Sequence, residues 1–93
     1  MEVKTTYDWM VNQKQLRPFI LSRSSFAGLG KYGFKWLGDN HSTVQDMAQS
    51  VLGIMMFNMF GIPFSGSDIC GYADNTNPEL CARWHVVGSY QPF

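Results

Sequence analysis

Trp36-Leu37-Gly38-Asp39-Asn40 is the stretch that decides how this chain is read. It closes a short apolar, aromatic run, Phe34-Lys35-Trp36-Leu37, with a turn residue, a carboxylate and a polar amide. An apolar run cut off by Gly-Asp-Asn predicts a short buried strand ending in a turn. Earlier in the chain, Arg23 follows a second apolar run, Phe19-Ile20-Leu21. A carboxylate and a guanidinium therefore stand at two successive strand ends. Parallel α/β folds keep their chemistry at such ends.

Outward from this centre, helices and strands alternate. Tyr7 to Gln15 reads as the tail of a helix, with Tyr7, Met10 and Val11 at i, i+3, i+4 and a stop at Arg17-Pro18. Ser24 to Gly33 reads as a loop. After Asn40, Ser42 is the expected N-cap of a helix, with Gln45 completing a capping box. That helix is expected to run to about Phe57 and to lay its Met47, Val51 and Met55 face on the sheet. Ile62 to Gly66 is a third strand, with Pro63 tolerated at its start. Asn77-Pro78-Glu79 opens a last helix with an N-cap, a Pro at N1 and an acid in the first turn. Leu80, Trp84 and Val87 form its buried face. The order predicts parallel βα units with strands near residues 18–22, 34–37 and 62–66.

Composition sets bounds on function. The chain has 93 residues, 45% of them apolar and 15% charged, with seven Phe, four Tyr, three Trp and six Met. This is a globular composition, and a chain so short has more apolar surface than it hides alone. Formal net charge is zero and no basic run occurs, which argues against nucleic acid as a partner. Residues 51–64 come nearest to a membrane span, but Gly53, Asn58, Gly61 and Pro63 interrupt them. The polar start, Met1 to Thr6, is not a secretory signal. A parent that is secreted would carry its signal upstream.

On local pattern Asp39 reads first as a turn residue beside Gly38 that caps the next helix, and second as a general acid/base walled by Trp36. Arg23 reads as a binder of hydroxyl or carboxylate groups, or as a solvated loop arginine. Asp68 follows the third strand and is placed to orient Arg23 or a sugar hydroxyl, or to cap its loop. Trp36 and Tyr72 offer faces for a sugar ring, or simple packing. His41 and His85 share no zinc-like spacing with Cys70 and Cys81, so no metal is expected. The two cysteines allow a short bridge or two separate thiols. No nucleophile-elbow, Walker or dinucleotide glycine pattern occurs, and no cofactor is implied. Asn40-His41-Ser42 matches the N-glycosylation pattern, but its place beside the candidate site argues against occupancy.

Three blocks in order carry a family resemblance. They are Arg17-Pro18-Phe19-Ile20-Leu21-Ser22-Arg23-Ser24-Ser25-Phe26-Ala27-Gly28; Trp36-Leu37-Gly38-Asp39-Asn40; and Phe57-Asn58-Met59-Phe60-Gly61-Ile62-Pro63, followed by Gly66-Ser67-Asp68-Ile69-Cys70-Gly71-Tyr72. With Pro78-Glu79-Leu80-Cys81-Ala82-Arg83-Trp84, they resemble glycoside hydrolase family 31, the α-glucosidase and maltase group. The likeness runs from about Tyr7 to Phe93. It implies an α/β fold: part of a (β/α)8 TIM barrel, about three parallel strands with covering helices. Residues 1–93 would run from the end of helix 4 through helix 7.

The resemblance also implies roles. Asp39 would be the general acid/base, and Arg23, Trp36, Asp68 and Tyr72 would hold the terminal glucose of an oligosaccharide substrate. Cys70 and Cys81 match a pair that family members in oxidising compartments join as a disulfide, which implies a secretory, lysosomal or extracellular parent. Val44 stands where a Trp is usual and Ser67 where an Ala is usual. The family nucleophile lies in a W-x-D-M-N-E segment that these residues do not contain, and the active-site His would follow Phe93. Retaining glycosidases need two carboxyls about 5–5.5 Å apart. The chain is thus expected to be inactive alone and to need the remainder of the barrel for stability. A rival reading is a non-catalytic remnant or a weak carbohydrate-binding piece.

Overall fold

The computed structural model describes residues 1–93. It contains helix α1 (Glu2–Asn12), strand β1 (Leu21–Ser22), a 3-10 turn (Leu29–Lys31), strand β2 (Phe34–Trp36), helix α2 (Val44–Met59), strand β3 (Ser65–Gly66) and helix α3 (Pro78–Gly88). The three strands form one parallel sheet in the order β1-β2-β3. Leu21 pairs with Phe34, Ser22 with Lys35, Lys35 with Ser65 and Trp36 with Gly66.

The strands are shorter than expected at β1 and β3, for local reasons. Pro63 has no N–H to give a ladder, so pairing at β3 begins only when the Phe64 carbonyl accepts from Lys35 N at 3.2 Å. Ile62 is buried before the strand begins, its N–H bonded to the Phe57 carbonyl. Helix α1 starts and ends earlier than its spacing suggested. It stops at Asn12, and Gln15 turns left-handed (φ 55°) well before Pro18. The expected loop between β1 and β2 contains the 3-10 turn, whose Leu29 is buried.

Strand alternation sorts the side chains of β2 onto two faces. Phe34 and Trp36 join Phe19, Phe64 and Phe93 in an aromatic layer, with ring centroids 4.8–5.8 Å apart. Lys35 faces α2. Its Nζ lies 4.9 Å from the centre of the Phe57 ring and donates to the Arg23 carbonyl. Burial, and then the Arg23 charge, push its pKa down.

Helix α2 meets the sheet on a different face from the one expected. Ser50 is buried, and a methyl group built on Gly53 would meet the Leu37 side chain at 3.1 Å. Small residues at 50 and 53 let the helix lie close to the sheet. Met47 is half-buried, whereas Val51 and Met55 are exposed on the side of the helix nearest α3. With Ile54, Val87 and Tyr90 they line a cavity of about 300 Å³. Val44, Leu52, Met56 and Met59 are exposed as well. The expected N-cap also moves by one residue. Thr43 accepts from Asp46 N at 3.1 Å and donates to Asp46 Oδ1 at 3.3 Å, while the Ser42 hydroxyl donates to the Cys70 carbonyl at 2.9 Å. The acid at the third helical position does not close a capping box, since Thr43 N bonds the His41 carbonyl; Asp46 instead takes the His41 N–H at 2.7 Å and puts a negative charge in the first turn that Gln45 lacks. Helix α3 starts at its expected cap, with Asn77 Oδ1 accepting from Leu80 N at 2.9 Å. Its Trp84 is the largest fully buried side chain. No helix is long and apolar enough to cross a membrane.

The sheet has an unpaired edge at β1 and another at β3, and the outer face of α2 is apolar. Open edges and apolar patches of this kind recruit other chains. The purified 93-residue chain is therefore expected to self-associate, giving light-scattering masses above one chain. A sharp peak at the mass of one chain would contradict this.

Candidate active site

Parallel strands deliver the residues that follow them to one end of the sheet. Arg23 follows β1, Asp39 follows β2 and Asp68 follows β3. Arg23 Nη1 donates to Asp39 Oδ2 at 3.2 Å, and both side chains are more than half exposed. This exposed pair is screened and contributes little stability, but it sets the direction of the carboxylate. Asp39 does not cap α2, because Thr43 fills that position.

Gly38 makes the approach of Arg23 possible. Its φ is 93°, and a Cβ built there would lie 2.5–2.8 Å from the guanidinium atoms of Arg23. Only a residue without a side chain both adopts this backbone angle freely and leaves room for the arginine.

Asp68 bonds to Asn40 rather than to Arg23, which corrects the expectation that it orients the arginine. Asn40 N donates to Asp68 Oδ2 at 3.1 Å, and Asp68 N donates to Asn40 Oδ1 at 3.2 Å. The Asn40 carbonyl also accepts from Tyr72 N at 2.7 Å and Ala73 N at 3.1 Å. Asn40 is the structural residue that the sequence reading missed. Its signal was its place directly after Asp39. Trp36 lies edge-on to Phe93, centroids 5.6 Å apart, on the aromatic face. The Tyr72 ring is exposed, and its backbone rather than its ring ties it to the cluster. Ser67 is buried, its N–H and hydroxyl both bonded to Gln91. Val44 is exposed at the start of α2.

Cys70 and Cys81 are joined as a disulfide, with Cα atoms 4.5 Å apart. The bond ties the loop that carries Asp68 and Tyr72 to α3. His85 lies beside the disulfide. Its Nδ1 lies 3.5 Å from Cys70 Sγ and 3.7 Å from Cys81 Sγ. The loop brings Cys70 back to the face that Cys81 and His85, four residues apart, share on α3.

His41 bonds Asp74 Oδ2 through Nδ1 at 2.8 Å, and its N–H bonds Asp46 Oδ2 at 2.7 Å. The hydrogen bond to Asp74, and then the Asp74 charge, raise the His41 pKa above its ordinary 6.5.

The family model of the glycosyl hydrolases family 31 TIM-barrel domain matches residues 1–93. The chain belongs to this family, and its three parallel strands with their helices are part of a TIM barrel. It is 53% identical over 77 residues to an alpha-glucosidase of Schizosaccharomyces pombe, an alignment covering 83% of this chain and 8% of that protein. It is 42% identical over 92 residues to the lysosomal alpha-glucosidase of Bos taurus, covering 99% of this chain and 10% of that protein. The crystal structure of a glucosidase II alpha subunit superposes with a TM-score of 0.90 at 32% identity, covering 99% of this chain and 10% of that one. The chain thus spans about a tenth of the length of the relatives it matches.

Two outcomes are expected from the geometry. Gly38→Ala is expected to destabilise the chain by about 1–2 kcal/mol through the left-handed backbone alone, with a further loss from displacing Arg23. A urea titration with an unchanged midpoint would contradict the role given to Gly38. For His41, the folded pKa lies above the unfolded one. Its contribution to stability is therefore full below pH 6.5 and is lost as pH rises through the raised value. Asp74→Asn is expected to return the imidazole titration, followed by NMR, toward 6.5. An unchanged titration would contradict the pairing.

Proposed function

We propose that these residues supply the acid/base half of a retaining α-glucosidase site. The observation that carries the proposal is the Asp39 carboxylate at the C-terminal end of β2, aligned by Arg23 at 3.2 Å. In this reading Asp39 protonates the glycosidic oxygen as the bond to the leaving group breaks. It then removes a proton from the water that hydrolyses the glycosyl-enzyme. Arg23 and Asp68 hold hydroxyls of the terminal glucose, and Trp36 and Tyr72 border its ring. The nucleophile comes from a W-x-D-M-N-E segment, which these 93 residues do not hold.

The substrate would be the non-reducing end of an α-linked oligosaccharide, a class supported by the glucosidase relatives. The parent polypeptide would be secretory, lysosomal or extracellular. The Cys70–Cys81 disulfide supports this, because such bonds persist in oxidising compartments. The remainder of the barrel would cover the aromatic layer and pair the strand edges. Residues 1–93 would correspond to the stretch from the end of helix 4 through helix 7.

The 93-residue chain is expected to release no p-nitrophenol from p-nitrophenyl α-glucoside above an Asp39→Asn control. Loss of one member of a catalytic unit typically lowers the rate by many orders of magnitude. In a polypeptide that also carries the W-x-D-M-N-E segment in frame, the same Asp39→Asn change is expected to abolish turnover. Full activity of that variant would overturn the assignment. Lack of turnover in the unsubstituted longer polypeptide would favour the non-catalytic remnant instead.

A further inference from the structure

Lys35 is a buried cation without an acid. Strand alternation turns it away from the aromatic layer and into the space between the sheet and α2. It is 9% exposed, and none of the chain's ion pairs, Lys4–Asp8, Arg23–Asp39, His41–Asp74 and Arg83–Glu79, includes it. Its ammonium has two partners, the Arg23 carbonyl and the Phe57 ring, whose centre is 4.9 Å away. Lysine is seldom buried without a carboxylate, because taking its charge out of water is unfavourable. Burial accordingly lowers the Lys35 pKa from 10.5. An apolar side chain would fill the space between β2 and α2 without that penalty, so packing does not account for the ammonium.

What the ammonium holds is the main chain of Arg23. Ser22 and Lys35 are the last paired residues of β1 and β2. Arg23 stands one residue further on, where the ladder has ended. Its N–H and carbonyl enter no backbone–backbone hydrogen bond, and the Lys35 ammonium is the one group bonded to that carbonyl. The other tie on Arg23 is its guanidinium bond to Asp39 at 3.2 Å, which is exposed and screened by solvent. Without Lys35, that exposed pair alone would fix the residue.

We propose that Lys35 is a positioning residue for the sugar site: from the helix side of the sheet it grips the Arg23 carbonyl and so sets where the guanidinium meets the hydroxyls of the terminal glucose. The proposal rests on the reading of Arg23 as a binder of those hydroxyls. The bond is charge-assisted, and therefore stronger than one between neutral groups. It is also sheltered between β2 and α2, whereas the bond to Asp39 is open to water. Lys35 itself touches no substrate. Its effect passes through Arg23, and a shift of about 1 Å in a group that positions substrate lowers a rate by about a hundredfold.

The test is Lys35→Met, which keeps an unbranched apolar stem and removes the ammonium. In the 93-residue chain, the heteronuclear NOE of the Arg23 Nε–Hε is expected to fall toward that of Arg17, which is exposed and joins no ion pair. Circular dichroism and the thermal midpoint are expected to hold or to rise, because an apolar group replaces a buried charge. A looser Arg23 in a chain of equal or greater stability is a combination that a packing role does not produce. In a polypeptide that also carries the W-x-D-M-N-E segment, the variant is expected to lower kcat/KM for p-nitrophenyl α-glucoside by about tenfold or more, mostly through KM. An Arg23 signal indifferent to Lys35→Met, loss of the helices in that variant, or unchanged kinetics in an active longer polypeptide would each overturn the proposal. No turnover in the unsubstituted longer polypeptide would count against the glucosidase reading instead, while a loosened Arg23 would still support the hold by Lys35.

Discussion

Asn40 and Asp68 each use a side-chain oxygen to take the other's backbone N–H. This reciprocal pair joins the residue after Asp39 to the loop after β3, and most of the site depends on it. β2 and β3 pair through only two residues each, so the ladder alone does not fix the loops beyond the strand ends. The clamp extends their alignment past the last ladder bond. The Asn40 carbonyl, accepting from Tyr72 N and Ala73 N, carries the alignment a further turn. A carboxylate that accepts a backbone N–H makes a charge-assisted bond, stronger than a neutral one.

The covalent and helical parts of the fold converge on the same loop. The disulfide fastens Cys70 to α3, Ser42 holds the Cys70 carbonyl, and His41 reaches Asp74. Residues 40–43 and 68–74 therefore act as one unit lying over the strand ends. On the other side of β2, Lys35 reaches the Arg23 carbonyl from the helix face of the sheet. Arg23 is thus positioned twice, through its backbone by Lys35 and through its guanidinium by Asp39 and the open space over Gly38. The aromatic layer of Phe19, Phe34, Phe64, Phe93 and Trp36 lies on the face of β2 opposite Lys35.

The parallel order, the three strand positions and the start of α3 were legible because they rest on local signals. An apolar run before Gly-Asp-Asn marks β2, and Asn-Pro-Glu marks α3. The bounds of β1 and β3 were less legible, since apolar residues such as Phe19 and Ile62 pack without pairing. The packed face of α2 was misread because the helix carries apolar residues around most of its circumference. Ser50 and Gly53 won the sheet-facing side through their small size, a tertiary demand that hydrophobic periodicity does not express. The cap moved from Ser42 to Thr43 because Ser42 serves a loop 28 residues away. The meeting of Arg23 with Asp39 follows from parallel topology, and so was open to inference. The Asn40–Asp68 exchange depends on loop paths that no spacing rule gives, whereas the approach of His85 to the disulfide follows from its place four residues after Cys81 on α3.

Backbone amide hydrogen exchange at Asn40 and Asp68 tests the central claim most directly. In the folded chain both amides are predicted to exchange slowly, alongside those of Tyr72 and Ala73. In an Asn40→Ala variant, protection at Asp68 is predicted to fall while the amide of residue 40, still bonded to the Asp68 carboxylate, keeps part of its own. Exchange at Asn40 and Asp68 as fast as at the exposed N-terminus of α1, or an Asp68 amide indifferent to the Asn40 side chain, would contradict the account.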